Sequence, residues 1–430
     1  MANTYLTRTF GSSPSTTLFT WSAWVKRGKL GTQQAMISGC SSYGANTGQL
    51  IYFTNDDRLA YYAQASGTVK CNLITNAQFR DTNAWYHLML VVDSSQSNVA
   101  NRVVFYVNNV ERSYTTIVEQ AQNWDAYFML ATPTDVGRNG MNTSDYFDGV
   151  MSYMIMTHGY NYTPSTFGSV DATTGEWKIN TSPTVNYNSN GFFILKNGNT
   201  GTDYSGNSET FSSGGGTVTK TEDCPSNVFA TMNALSRGSS ATLSKGNTII
   251  RNDTGNDANV LGTIALGNGK YYWETYKHGG GNTGLGLTLA SIDGSNHSAV
   301  HSYRVNYYAD GNIYQNGFGL SDINTGVSYG DTDTIGVSVD TENGTIKFYK
   351  NGTLVNNSSQ TNSVFTYAQN ELIPFWYAMN GGEWRTNLGN GYFGTTAVSS
   401  AGTNASGNGI FEYDVQPTDA TALSTKGLNL

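Results

Sequence analysis

The sequence predicts an all-β protein built from two β-sandwiches in tandem. Composition is the first reason. Only 13% of the 430 residues are charged, and Asn, Ser, Thr and Gly (49 Gly) fill the deficit beside 28 Tyr and 18 Phe. Tyr, Phe, Val and Thr favour pleated, half-buried surfaces, and Asn and Gly punctuate them with turns. The second reason is a pattern that occurs twice. Val91-Val92-Asp93, a polar turn and Val103-Val104-Phe105-Tyr106-Val107-Asn108-Asn109 are matched by Val337-Ser338-Val339-Asp340, Asn343-Gly344 and Ile346-Lys347-Phe348-Tyr349-Lys350-Asn351-Gly352. Each copy reads as a strand ending in Asp, a reversal, and a strand leaving through Asn-Asn or Asn-Gly. Side chains alternate along a strand, so Val103, Phe105 and Val107 share one face, as do Ile346 and Phe348. At this length two or three domains are expected, each large enough to bury a core.

The elements follow in chain order. Leu18 to Lys26 places Phe19, Trp21, Ala23 and Val25 on one face and Trp24 on the other. Gln49–Phe53 and Arg58–Tyr62 flank an Asn-Asp-Asp turn and read as a hairpin. Trp85-Tyr86-His87 opens a strand through Val92. Asp148 to Met156 is apolar on both faces and reads as a buried strand. The early Trp-x-x-Trp-Val-Lys strand, the Trp-Tyr-His opening, the Phe-Tyr-Val-Asn strand and the closing Phe-Asp-Gly-x-Met-Ser strand together resemble the laminin-G-like branch of the concanavalin A-like jelly rolls. Residues 1–158 are therefore expected to form a laminin-G-like sandwich.

Residues 159–235 are richer in Asn, Gly, Ser and Thr, with Gly214-Gly215-Gly216 near the centre. The apolar islands Gly191–Leu195 and Val228–Met232 interrupt this connector. They are expected to be strands packing on the sandwiches, with a flexible excursion at the triple glycine. The run through Gly191-Phe192-Phe193, Asp203-Tyr204-Ser205-Gly206-Asn207 and Asn227 to Asn233 is similar to virion proteins of marine tailed phages. The tail from Gly409 to Leu428 matches the same pattern, except that Ser424 stands where that family commonly has Cys.

Residues 236–430 form the second expected domain. Gly269-Lys270-Tyr271-Tyr272-Trp273-Glu274, then Gly284-Leu285-Gly286-Leu287, the repeated hairpin and Ile373-Pro374-Phe375-Trp376-Tyr377 resemble a SPRY domain, another two-sheet sandwich. The fold class implied is two concanavalin A-like jelly-roll β-sandwiches in tandem.

A net charge of −8 with no basic stripe argues against nucleic acid as a partner. No apolar run approaches the ~18 residues that span a bilayer. The N-terminus lacks the charged start and apolar run of a signal peptide, so synthesis in a host cytoplasm without export is expected. Cys40, Cys71 and Cys224 match neither a disulfide framework nor a zinc site and are read as reduced.

Catalytic patterns are incomplete. A sandwich glycanase needs Glu-x-Asp-x-x-Glu to set two carboxylates on one strand face; Glu412-Tyr413-Asp414 has Pro417 in the last place, and Glu383 lacks a partner. Neither the serine-hydrolase elbow nor the P-loop occurs. His297 and His301 are four apart, a metal spacing on a helix, but the surrounding turns and strands predict exposed loop histidines. His87 is read as structural. Asp331 and Asp333, and Asp56-Asp57, are oxygen-rich turns that suit weak calcium binding or simply backbone bonding. No catalytic residue, metal or cofactor is assigned.

The ligand-binding candidates lie in one segment: Tyr303, Arg304, Tyr307, Tyr308, Asp310, Asn312, Tyr314 and Gln315. Rings stack on sugar C–H faces, amides bond hydroxyls, and Tyr and Arg also serve protein contacts. Alternation requires one of Tyr307 and Tyr308 to face outward and the other inward. The resemblances imply a non-enzymatic virion surface protein, either a tail fibre or receptor-binding subunit or a head decoration. Its expected partners are other virion proteins and host-surface polysaccharide, in a homo-oligomer guessed by analogy to be a trimer. The alternatives are a glycan-depolymerising tail enzyme and a SPRY-type protein-binding adaptor within the virion.

Overall fold

A computed structural model describes residues 3–12, 14–82, 84–172, 175–196, 200–317, 320–355, 360–361 and 372–429. The chain divides into two compact units, Met1–Lys220 and Thr221–Leu430. Each unit has two large sheets around its own apolar core, antiparallel except where Thr421–Ala422 pairs in parallel with Lys270–His278.

In the first unit the six-stranded sheet runs in the order Phe192–Ile194, Gly149–His158, Leu18–Arg27, Trp85–Asp93, Val103–Val107 and Val110–Arg112. Phe19, Trp21, Ala23 and Val25 all point into the core, as the alternation requires. Trp24 takes the opposite face and stacks on His87, with ring centres 5.1 Å apart. Trp177 donates its indole N–H to His87 Nδ1. The imidazole proton therefore sits on Nε2, which donates to Ser22 Oγ at 2.9 Å. Burial lowers the His87 pKa to about 3, so the ring is a neutral structural histidine.

The eight-stranded sheet faces it in the order Tyr114–Val118, Thr68–Gln78, Arg58–Ala65, Gly48–Phe53, Gln34–Cys40, Pro133–Val136, Tyr5–Thr9 and Ser212–Gly215. The last strand corrects an expectation: the triple glycine begins in a strand, not in a flexible excursion. Its composition is explained by Tyr5, whose ring would lie 2.1 Å from a Cβ on Gly214. The island at 191–195 supplies the edge strand Phe192–Ile194, paired with Gly149–His158.

In the second unit a seven-stranded sheet runs Met232–Arg237, Ala258–Gly262, Leu372–Ala378, Thr283–Leu289, Arg304–Tyr308, Asn312–Asn316 and Ile323–Asn324. The opposing nine-stranded sheet is centred on Lys270–His278 and Thr334–Asp340. Tyr271 and Trp273 enter the core, while Tyr272 and Glu274 face outward beneath the C-terminal segment.

The two repeated hairpins form as read. Val92 pairs Val103 and Leu88 pairs Val107 in one, and Val339 pairs Ile346 and Val337 pairs Phe348 in the other. The Asp at the strand end caps the turn in both: Asp93 accepts from the Ser95 N–H and Asp340 from the Asn343 N–H.

Candidate functional site

The outer face of the seven-stranded sheet gathers most of the unit's unusual polar chemistry. The hairpin Arg304–Tyr308 and Asn312–Asn316 pairs Asn306 with Tyr314 and Tyr307 with Ile313. Alternation then places Val305, Tyr307 and Ile313 in the core, and Arg304, Asn306 and Tyr308 on the opposite face. The neighbouring strand sets Gly284 beside Tyr308 and Gly286 beside Asn306. On its far side Gly284 pairs with Tyr377. Strands lie about 4.8 Å apart, so Tyr308 and Tyr377 sit about 9.6 Å apart at the backbone. Because the residue between them has no side chain, their rings meet with centres 5.7 Å apart. A Cβ on Gly284 would lie 2.7 Å from Asn306 Nδ2 and 2.9 Å from Tyr308 Cδ2.

A short helix, His297–Ser302, brings two histidines to this face. Loop histidines were expected there. Asn296 caps the helix by accepting the Ala299 N–H, which lets a single helical turn form between strands. The rings of His297 and His301 have centres 3.8 Å apart, and His301 lies 5.1 Å from Tyr377. His297 Nε2 is 2.9 Å from Asp257 Oδ2, and Asn259 Nδ2 is 2.9 Å from His297 Nδ1. The Tyr377 hydroxyl also donates to Asp257. Arg304 Nη1 lies 2.7 Å from His301 Nδ1, and its guanidinium carbon is 5.2 Å from the centre of the Tyr314 ring. Tyr314 packs edge-on against Tyr308 at 5.7 Å.

Several buried polar atoms on this face have no hydrogen-bond partner among the described residues: His301 Nε2, Arg304 Nε, Asn259 Oδ1 and both amide atoms of Asn306. Burial, followed by the charge of Arg304, lowers the His301 pKa to about 3, so the ring is neutral. Burial also lowers the Arg304 pKa.

Of the segment singled out from sequence, Arg304, Tyr308 and Tyr314 converge here. Asp310 and Asn312 form the turn beside it, where Asp310 accepts from the Asn312 N–H and the Tyr314 hydroxyl. Tyr303 is exposed on the adjacent surface. Two of the candidates do not belong to this face. Tyr307 is fully buried in the core, its hydroxyl bonded to the Val327 carbonyl. Gln315 is buried on the Tyr307 side of the hairpin, and its amide donates to the Ser321 carbonyl. Asp257, Asn259, His297, His301, Asn306 and Tyr377 were not foreseen. Asn306 lies inside the aromatic segment, and the four-residue spacing of His297 and His301 carries a helical signal that the turns and strands around it outweighed.

The other candidates serve the fold. Glu412 accepts from Ser399, Asp414 from the Thr403 N–H, and Glu383 pairs with Arg385. Asp57 pairs with buried Arg27, Asp56 with Arg58, Asp331 with Lys277 and Asp333 with Lys350. Cys40, Cys71 and Cys224 are free thiols.

Residues 2–158 match the family model described as the concanavalin A-like lectin/glucanases superfamily, and residues 270–391 match that of the SPRY domain. Among solved structures, the SPRY domain of human HERC1 is 22% identical, with 36% of this chain and 96% of that chain covered and a TM-score of 0.29. The TRIM65 PSpry domain is 13% identical, covering 36% of this chain and 90% of that one, with a TM-score of 0.28. The stonustoxin structure is 20% identical over 37% of this chain and 27% of that one, with a TM-score of 0.29. No curated protein matches the chain. The chain is thus all-β, with a concanavalin A-like domain followed in tandem by a SPRY domain.

Proposed function

We propose that this chain is a non-enzymatic binding protein of a tailed-phage virion surface, and that it engages host-surface glycan through the Arg304 face of its second unit. The observation that carries the binding reading is the set of buried, partnerless polar atoms among three tyrosine rings on that face. Buried polar groups are ordinarily paired, so a cluster that is not calls for a ligand or ordered water. Rings beside amides suit sugars, whose C–H faces stack while their hydroxyls hydrogen-bond. Both matched domain families fit a binding role. The virion assignment is supported by the phage-like strings at 191–233 and 409–428.

In this reading the protein is made in the host cytoplasm and assembles with other virion proteins as a homo-oligomer, a trimer by analogy. It serves either as a tail-fibre or receptor-binding subunit or as a head decoration. Immunogold labelling of purified particles distinguishes these placements, and absence from the particles overturns the virion assignment. For binding, the full chain is incubated with host polysaccharide. Capture without new reducing ends is expected, and Tyr308→Ala or Tyr314→Ala should weaken capture roughly tenfold, about 1.4 kcal/mol for a lost ring contact. Released oligosaccharide would establish the depolymerase instead. Capture of another virion protein, with none of polysaccharide, would establish the SPRY-type adaptor.

A further inference from the structure

His158 ends the strand Gly149–His158, where it pairs with Phe19, and it is buried, 8% exposed. Both of its ring nitrogens face backbone carbonyl oxygens. Nε2 lies 2.6 Å from the Ser15 oxygen and Nδ1 lies 3.0 Å from the Ser189 oxygen. A carbonyl oxygen only accepts, and a neutral imidazole offers one N–H and one lone pair. Both carbonyls are therefore satisfied together only by the doubly protonated ring. Among the described residues no carboxylate is bonded to it. The titratable groups on the surrounding elements are engaged elsewhere. On the N-terminal side Asp125 accepts from Ser15 Oγ and the Thr16 N–H. On the connector side Asp203 accepts the N–H groups of Phe193, Ser205 and Glu209. Across the sheet Asp93, opposite Leu18, is turned to Ser95 and Gln96. The Tyr160 and Tyr162 hydroxyls bond Asn186, and Tyr187 packs on the apolar cluster of Phe193.

We infer that His158 is a proton-operated latch. As an imidazolium it ties the connector at Ser189 to the N-terminal loop at Ser15, and loss of one proton frees the connector end. Which end is freed follows from the distances. The shorter contact, to Ser15, keeps the remaining proton on Nε2, and Nδ1 then turns a lone pair on the Ser189 carbonyl. One donor stands ready for that lone pair: Ser189 Oγ, 3.3 Å from Nδ1. Exchanging the carbonyl for the hydroxyl requires the Ser189 backbone to draw away. Asn190 is fastened separately, its amide donating to the carbonyls of Ser12 and Met129, so the shift falls on the turn before it. That turn shapes a surface feature. Tyr187, Asn188 and Ser189, with Asn186, Ser205 and Asn207, line an open groove of about 590 Å³. Bonds that need both ring protons hold at acid pH and are lost as pH rises through about 5–8, the range in which histidine changes charge. The groove wall is therefore fixed in acid and loosens toward alkaline pH.

The test follows the full chain, ¹⁵N-labelled at histidine, from about pH 5 to 8.5. Long-range ¹H–¹⁵N spectra report the protonation of each ring nitrogen, and the signals missing from His158→Gln identify His158. Both nitrogens should carry protons at the acid end, and rising pH should remove the proton of Nδ1 while Nε2 keeps its own. Hydrogen exchange, corrected for its intrinsic pH dependence, is measured over the same span. Protection of the amides of residues 185–189 should fall about tenfold, the worth of one lost hydrogen bond to a charged group, while that of Leu18–Arg27 stays level. His158→Gln, which carries no charge, should hold residues 185–189 at the low level at every pH. Ser189→Ala should keep the acid latch, which uses the backbone carbonyl, and lose more protection than wild type at the alkaline end. A ring that stays in one protonation state across the range overturns the inference. So does protection of residues 185–189 that ignores the loss of the proton. Both readouts are taken on the wild type, so they decide even if a variant fails to fold.

Discussion

Asn108 and Asn351 perform the same task in the two units. Each sits where its repeated hairpin ends, in the left-handed region at φ 49°. Each accepts a backbone N–H from the start of a neighbouring strand, His87 for Asn108 and Thr334 for Asn351, at 2.8 Å. Asn tolerates that conformation and supplies the acceptor, whereas Ala does neither. Replacing either by Ala should lower stability by about 1–3 kcal/mol. Replacement by Gly, which relieves the strain but not the lost bond, should cost less; denaturant melts of the four variants would show equal costs if the bond alone mattered. Glu274 carries a different signal. Burial raises its pKa from 4.5 to about 7, against the opposing pull of hydrogen bonds from the Glu412 and Tyr413 N–H groups and the Tyr272 hydroxyl. Between pH 4.5 and 7 the folded state therefore holds a proton that the unfolded chain has lost, so this group's contribution to stability falls as pH rises through that window. Glu274→Gln should flatten the decline measured by thermal melts across pH 4–8; an unchanged slope would show that Glu274 does not set it.

The proposed binding face depends on the Thr283–Leu289 strand, whose glycines bring flanking side chains together. A Cβ on Gly286 would lie 2.0 Å from the Val305 carbonyl oxygen, a backbone atom that cannot move without breaking the ladder. Gly286→Ala should destabilise the second unit by about 3 kcal/mol or more and abolish ligand capture. Gly280→Ala, with nothing within 4 Å of the added carbon, should be close to silent in the same melts. Periodicity in the sequence exposes this element only in part. Alternation forces Tyr307 and Tyr308 apart, but which one enters the core depends on pairing with Ile313 and Gly284. The His297–Ser302 helix is six residues long, too short to build a periodic apolar stripe, and its local signs are the four-residue spacing of its two histidines and the cap at Asn296. Asn259 and Tyr377 reach the face from strands distant in sequence, and Asp257 from just before one of them, so no local pattern places them there.

At the scale of the molecule, each unit closes a separate core, the first around Phe19, Trp21 and Phe105 and the second around Trp273, Trp376 and Trp384. Residues 1–220 and 221–430, expressed separately, should each unfold cooperatively. Calorimetry of each fragment tests this, and a fragment without a melting transition would show that its core is incomplete alone. The break at Lys220 also divides the Asn/Gly/Ser-rich stretch, with Phe192–Ile194 and Ser212–Gly215 in the first unit and Met232–Arg237 in the second.

The sequence by itself determined the all-β class, the two sandwiches and the repeated Asp-turn-Asn hairpin. Those features rest on local alternation and on turn residues whose backbone preferences act within a few positions. Arg304, Tyr308 and Tyr314 were legible as one aromatic segment, but only tertiary structure decided which residues join them on the proposed binding face. That face needs Asp257, His301, Arg304 and Tyr377 from separate elements, a strand of glycines thin enough for their rings to touch, and burial that leaves donors without acceptors. Burial and cross-strand register are properties of the assembled sheet, and no stretch of the chain carries them alone.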